Sequence, residues 1–365
     1  MDFTIDAEQK ALVSAVKGLI TKVYDSSETR REITKTDPGF AAWEQLAEMG
    51  VLSLPFEATA VETNLAAEEL GKVIAPDPFV EAIVLAGGLI DAIGTDEQKK
   101  QYVDAVAGGE VLPILAWMEP GRRWSTEATV TFADGKLNGV KAPVVQAERA
   151  DLLLVTAALP EGGTGVFLVE GAAAVETTVT HDGSRAATVT FGDTPAVPLG
   201  EAADQTAAIE AALDRARIAY AHEALGAMQT ALETTVGYLK TRKQFGVTLN
   251  TFQALNFRAA DMYVALELAR SVITWATIVA ADEDATTAQI AAAASNAALQ
   301  VSVAGSHIGL DAIQLHGGIG MTAEYSVGHY ASRLLAIEHL IGDADFHTAR
   351  LAATVGAHDV FDPIG

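Results

Sequence analysis

The sequence predicts an α+β multidomain chain. An N-terminal α-helical domain covers residues 1–113, a small middle β-barrel or sandwich domain covers 114–203, and a C-terminal four-helix bundle covers 204–365. Three observations predict it. The apolar period is helical as far as Leu112, then alternates between frequent turn residues, then returns to a helical period from Asp204. The middle stretch holds paired turn signals such as Asp134-Gly135. The last stretch runs through long helical segments with few breakers, which is the mark of a bundle.

In the first domain, Asp6 is placed to cap a helix whose stripe is Leu12, Val16, Ile20 and Val23. Residues 40–49 repeat the pattern and Gly50 closes it. Helices over 63–72, 80–93 and 96–106 follow. In the middle domain, 128–132 alternates, and 137–145 carries a second turn signal at Asn138-Gly139. Short β-rich runs then occupy 152–156, 165–169, 175–179 and 187–191. The bundle reads as helices over 207–241, 251–279 and 285–315 with a terminal pair; the alanines of 291–298 let neighbours approach closely.

Of 365 residues, 48 are acidic and 24 basic, a formal net charge of −24. Such a surface repels nucleic acid and anionic membranes, so neither is an expected partner. No apolar run reads as the roughly 18–20 residues of a membrane span. The acidic, amphipathic N-terminus does not read as a signal peptide. With no cysteine there are no disulfides or thiolate metal sites; the compartment stays open, with cytoplasm as the default expectation.

Two motifs carry chemistry. Arg242-Lys243-Gln244-Phe245-Gly246 stands where a long helix ends, with Gly246 placed as a C-terminal cap. Arg242 offers a planar fork suited to a pyrophosphate, Phe245 a surface for a flat ring, and Gln253 an amide that both donates and accepts. Gln314-Leu315-His316-Gly317-Gly318-Ile319-Gly320 ends another helix, and its glycines allow close backbone approach. Read singly, each motif is also an ordinary helix end, and His316 an ordinary packed histidine.

Together the two motifs resemble the C-terminal domain of acyl-CoA dehydrogenases. The likeness extends outward through Thr95–Glu110, Met118-Glu119-Pro120 and the hairpin from Leu137 to Lys141. The resemblance implies a tetramer with FAD in its active sites. A carboxylate removes the proton next to the thioester of an acyl-CoA, and the neighbouring carbon gives a hydride to the flavin. Electrons then leave through an acceptor such as an electron-transfer flavoprotein. It also implies that each FAD is held by two subunits, with the pyrophosphate and adenosine end held in trans. On this chain the trans residues are Arg242, Phe245, Gln253, Gln314, Gly317 and Gly318.

The share supplied in cis departs from the family. Gly121-Arg122-Arg123-Trp124-Ser125 stands where a Gly- and Ser-rich loop is expected, and Pro143-Val144-Val145 where Trp-Ile-Thr is usual. Proline lacks an N–H and valine a hydroxyl. The base is expected near Asp343, one methylene shorter than the family's glutamate. The alternative position for a glutamate, on an earlier helix, holds Ala216; Glu223 further on reads as structural. Bacterial members of steroid side-chain degradation resemble this chain in a Gly-Asp pair near the C-terminus and form α2β2 heterotetramers. The leading expectation is therefore a non-catalytic partner subunit that completes the FAD site of a second acyl-CoA dehydrogenase-like subunit. A self-sufficient homotetramer using Asp343 and a scaffold that has lost FAD are the alternatives.

Overall fold

The computed structural model describes residues 4–36, 39–170 and 174–357. Helix α1 (Ala7–Val23) starts at a capping box in which the Asp6 carboxylate accepts from Gln9 N and the Gln9 side chain accepts from Asp6 N. The helical N-terminal region continues through α2 (Ser27–Thr34), α3 (Trp43–Glu48), α4 (Leu54–Glu57) and α5 (Ala60–Val73), the last opened by a second capping box, Thr59 with Glu62.

Residues 79–87 form a π-helix, Phe79–Gly87, that passes into α6 (Gly88–Ile93). The sequence reading gave one α-helix here. Every residue of the π-helix except Glu81 is buried, so no polar stripe distinguishes a wide turn from a normal one. Helix α7 (Asp96–Ala107) begins at a third box, Thr95 with Gln98.

The middle domain is one mixed sheet. Its strands are β1 (Pro113–Ala116), β2 (Thr131–Ala133), β3 (Lys136–Val145), β4 (Leu152–Ala158), β5 (Thr164–Glu170), β6 (Ala174–Val179), β7 (Arg185–Pro195) and β8 (Val197–Pro198). The order is β6-β7-β3-β2-β4-β5-β8, with β1 parallel to β4. Asp134 and Gly135 both take positive φ in the β2–β3 turn, as expected. Asn138-Gly139 is not a turn: it lies inside β3, where the register against β7 shifts between Leu137 and Gly139. The backbone of Val130 passes so close to Gly139 that a side chain there would clash.

The helical C-terminal region consists of α8 (Thr206–Thr241), the short hairpin β9 (Lys243–Gln244) and β10 (Val247–Thr248), then α9 (Gln253–Ala281), α10 (Thr287–His316), α11 (Val327–Ile341) and α12 (Ala344–Ala352). α5 and α8 cross with backbones touching: a Cβ on Gly71 would collide with Glu223 O, and one on Gly226 with Glu68 O. That crossing fixes the N-terminal helices on the bundle. By length and composition α9 could cross a membrane, contrary to the sequence reading. Its Phe257, Tyr263, Val264 and Leu268 are exposed.

Candidate functional site

The predicted dinucleotide residues gather at one end of the bundle. Arg242 is the C-cap of α8, its N–H donating to Tyr238 O at 2.8 Å. Gly246 is therefore not the cap. It shares the β9–β10 turn with Phe245, both at positive φ, the pairing that a tight two-residue hairpin requires. The turn lifts Phe245 into solvent, 93% exposed. Gln253 is the first residue of α9, and Gln314 lies in the last turn of α10, which Gly317 terminates at φ 64°. Arg242, Gln253, Gln314, Gly317 and Gly318 are all exposed.

Three contacts bring these pieces together. The Tyr238 ring stacks on His316 at 4.4 Å, tying the end of α8 to the end of α10. Arg258 of α9 pairs with Asp311 of α10 at 3.0 Å. Phe252, just before α9, meets Phe245 edge-on at 6.2 Å. His316 is buried and its Nδ1 bonds Ala312 O at 2.7 Å; burial pushes its pKa down, so it is a neutral packing residue. The result is an exposed platform with a guanidinium, a free aromatic face, two amides and open backbone at a glycine turn. Those are donors and surfaces for a phosphate-bearing nucleotide.

The space beneath Pro143 is small. A cavity of ≈ 40 Å³ lies between the π-helix, the sheet and the bundle, walled by Trp117, Met118, Pro143, Val145, Ala216 and Ile341 among others. Ligand sites ordinarily begin at roughly 300 Å³, so a tricyclic ring does not fit there. Pro143 and Val145 present no hydrogen-bonding group to it. Outside Pro143 a surface depression of ≈ 400 Å³ runs past Glu119, Arg123 and Thr180.

The loop with two arginines and a tryptophan is pinned shut over the end of α11. Trp124 Nε1 donates to His339 O at 2.9 Å and its ring meets Phe346 at 5.4 Å. Arg217 bonds Ile341 O at 3.2 Å and Asp214 at 2.7 Å, and Arg350 grips the same Asp214 with two bonds, at 2.6 and 2.8 Å.

Asp343 is the N-cap of α12 and accepts from Phe346 N at 2.8 Å. Ile341, two residues earlier, faces the cavity instead. Glu223 is buried against Arg333 at 2.7 Å, as its structural reading expects. Glu119 pairs with Lys141 at 2.6 Å, both side chains almost wholly buried, and desolvation lowers the Lys141 pKa to about 8. The sequence reading missed Glu81, which reaches the cavity from the π-helix. Burial raises its pKa, while a Tyr220 hydrogen bond and Arg333 at 4.0 Å act the other way. A lone glutamate in an apolar run was the available signal.

Two family models match the chain: acyl-CoA dehydrogenase N-terminal domain over residues 6–110, and acyl-CoA dehydrogenase C-terminal domain over 206–356. The mitochondrial short-chain specific acyl-CoA dehydrogenase of Homo sapiens is 32% identical over 78% of this chain and 72% of its own length. Among solved structures, a Tcur3481-Tcur3483 steroid ACAD variant is 29% identical with a TM-score of 0.85, covering 96% of this chain and 98% of that one. The ChsE4-ChsE5 complex of Mycobacterium tuberculosis matches at 23% identity and TM-score 0.86, over 99% and 100%. The cofactor that goes with this family is FAD, and an FAD complex of PigA shares the fold at 22% identity and TM-score 0.87, over 98% and 99%. The relatives are oxidoreductases acting on a CH–CH bond, and this chain belongs to the acyl-CoA dehydrogenase family.

Proposed function

We propose that this chain is the non-catalytic partner in an α2β2 acyl-CoA dehydrogenase, holding the pyrophosphate and adenosine end of an FAD whose ring rests on the other subunit. One observation supports the reading: Arg242, Phe245, Gln253, Gln314, Gly317 and Gly318 lie exposed together at one end of the bundle, while Pro143 and Val145 offer a flavin ring no hydrogen-bonding group. Arg242 would meet the pyrophosphate, and Phe245, Gln253, Gln314 and the Gly317-Gly318 backbone would meet the adenosine side. The redox chemistry would come from the flavin once bound; the proton acceptor would belong to the partner. Exposed Tyr263, Val264 and Leu268 on α9 and Val303 and Leu310 on α10 give apolar faces for other subunits to cover.

The substrate proposed is a bulky, ring-bearing acyl-CoA such as a steroid side-chain thioester, in line with the likeness to a steroid ACAD. An electron-transfer flavoprotein is the proposed acceptor. The test is expression alone and together with a candidate partner. Flavin bound at two per tetramer only on co-expression is the expected result. Full flavin occupancy and turnover by this chain alone would end the proposal.

A further inference from the structure

We infer that the cleft between α2, the turn at residues 181–185 and the start of α11 binds an organic oxyanion through Arg30 and Arg31. The cleft measures ≈ 450 Å³, within the size range of small-molecule sites; Arg242, Phe245, Gln253, Gln314, Gly317 and Gly318 do not line it, though Gly320 of the same turn does.

Arg30 is nine-tenths buried, at 8% exposure. Its guanidinium bonds only neutral groups: Val73 O at 3.4 Å and His329 Nδ1 at 2.9 Å. Arg31 donates to Ala323 O at 2.6 Å, and its Nε is buried without a hydrogen-bond partner among the described residues. Neither guanidinium is ion-paired to a carboxylate among the described residues.

The acids at the cleft are already engaged. Asp77 accepts from Tyr24 at 2.5 Å and from Ala42 N at 3.2 Å, Asp182 faces Arg333 at 3.1 Å, and Glu81 accepts from Tyr220 and faces Arg333 at 4.0 Å. His329 does not restore or add charge. Burial and the two arginines hold its pKa below the ordinary value. Desolvation, with Arg31 and Arg333 nearby, pushes down the pKa of Arg30, and Tyr330 and Asp182 oppose it only in part.

Removing a guanidinium from water costs several kcal/mol unless an opposite charge answers it. In a chain with twice as many acids as bases, two adjacent cations with no carboxylate bonded to either among the described residues are best explained by an anion from outside. Ile74, Ile313 and Met321 line the same space, so the anion carries an apolar body. A carboxylate or a phosphate monoester on a short carbon skeleton satisfies both features.

The experiment is calorimetric titration of the purified assembly with inorganic phosphate, hexyl phosphate and hexanoate, each against chloride at equal ionic strength. Saturable binding of hexyl phosphate or hexanoate is expected, weakened at least tenfold by Arg30→Gln and by Arg31→Gln; the tighter of the two names the head group. Arg31 is only partly buried, so R31Q remains informative if R30Q does not fold. No saturable binding beyond the chloride control, or binding unchanged in R31Q, would overturn the inference.

Discussion

His347 provides a pH test of how the chain is built behind the cavity. The residue is fully buried; one ring nitrogen, Nε2, donates to Ile341 O at 2.9 Å, and Nδ1 has no partner among the described residues. Desolvation, with Arg217 and Arg350 nearby, lowers its pKa from 6.5 to about 4. Below pH 6.5 the unfolded chain takes up a proton that the folded chain refuses, so stability falls with acidification. The loss becomes complete once pH passes below the folded value. Linkage sets it at about 2 kcal/mol by pH 5 and about 3 kcal/mol at its limit. His347→Gln keeps a donor for Ile341 O and removes the titration. Urea unfolding of both proteins, followed by tryptophan fluorescence between pH 7.5 and 5, isolates the imidazole because other titrations cancel in the difference. The wild type should lose about 2 kcal/mol relative to H347Q across that interval. Parallel curves would refute a buried neutral imidazole.

Arg242→Ala should reduce FAD affinity of the co-expressed assembly by about tenfold or more, the worth of a charge-assisted phosphate contact, read by flavin absorbance and fluorescence titration. Its apo melting temperature should barely move, since the side chain is exposed. Asp343→Ala should cost about 1 kcal/mol of stability through the lost cap of α12 yet leave turnover of the assembly intact, as should Glu81→Gln; a loss of turnover in either would place the base on this chain. Gly226→Ala drives a methyl into Glu68 O at the α5–α8 crossing and should cost about 3 kcal/mol or more in chemical unfolding.

Local rules were legible in the sequence. Asp6 with Gln9 announces α1, and the change of hydrophobic period marks the sheet. The two C-terminal motifs name the platform residues because each sits at a helix end, where backbone geometry is set by neighbours in sequence. What the sequence hid is set by distant contacts. Trp124 closes its loop through His339 O, 215 residues away, and Arg30 meets His329 across 299. Gly139 and Gly246 show a narrower limit: the same residue type serves a turn, a cap or a bulge, and the neighbouring strand or hairpin decides. The position of Asp343 illustrates it too. An offset of two residues at the end of α11 is the difference between facing the cavity and capping α12.

The distribution of charge bears on which half of a shared site this chain could supply. A general base needs a carboxylate free to take a proton near neutral pH. The carboxylate that lines the cavity, Glu81, accepts from Tyr220 and faces Arg333; elsewhere Asp214 lies between Arg217 and Arg350, Glu119 meets Lys141 and Glu223 meets Arg333. Removing one partner of such a buried pair would leave a buried charge at a cost of several kcal/mol. At the far end of the bundle the situation is reversed. Arg242 and Lys243 are exposed and have no ion-pair partner among the described residues, on a chain whose net charge is −24. With acids in twofold excess, two cations left available at one glycine-rich end are suited to meeting phosphate brought by a neighbour.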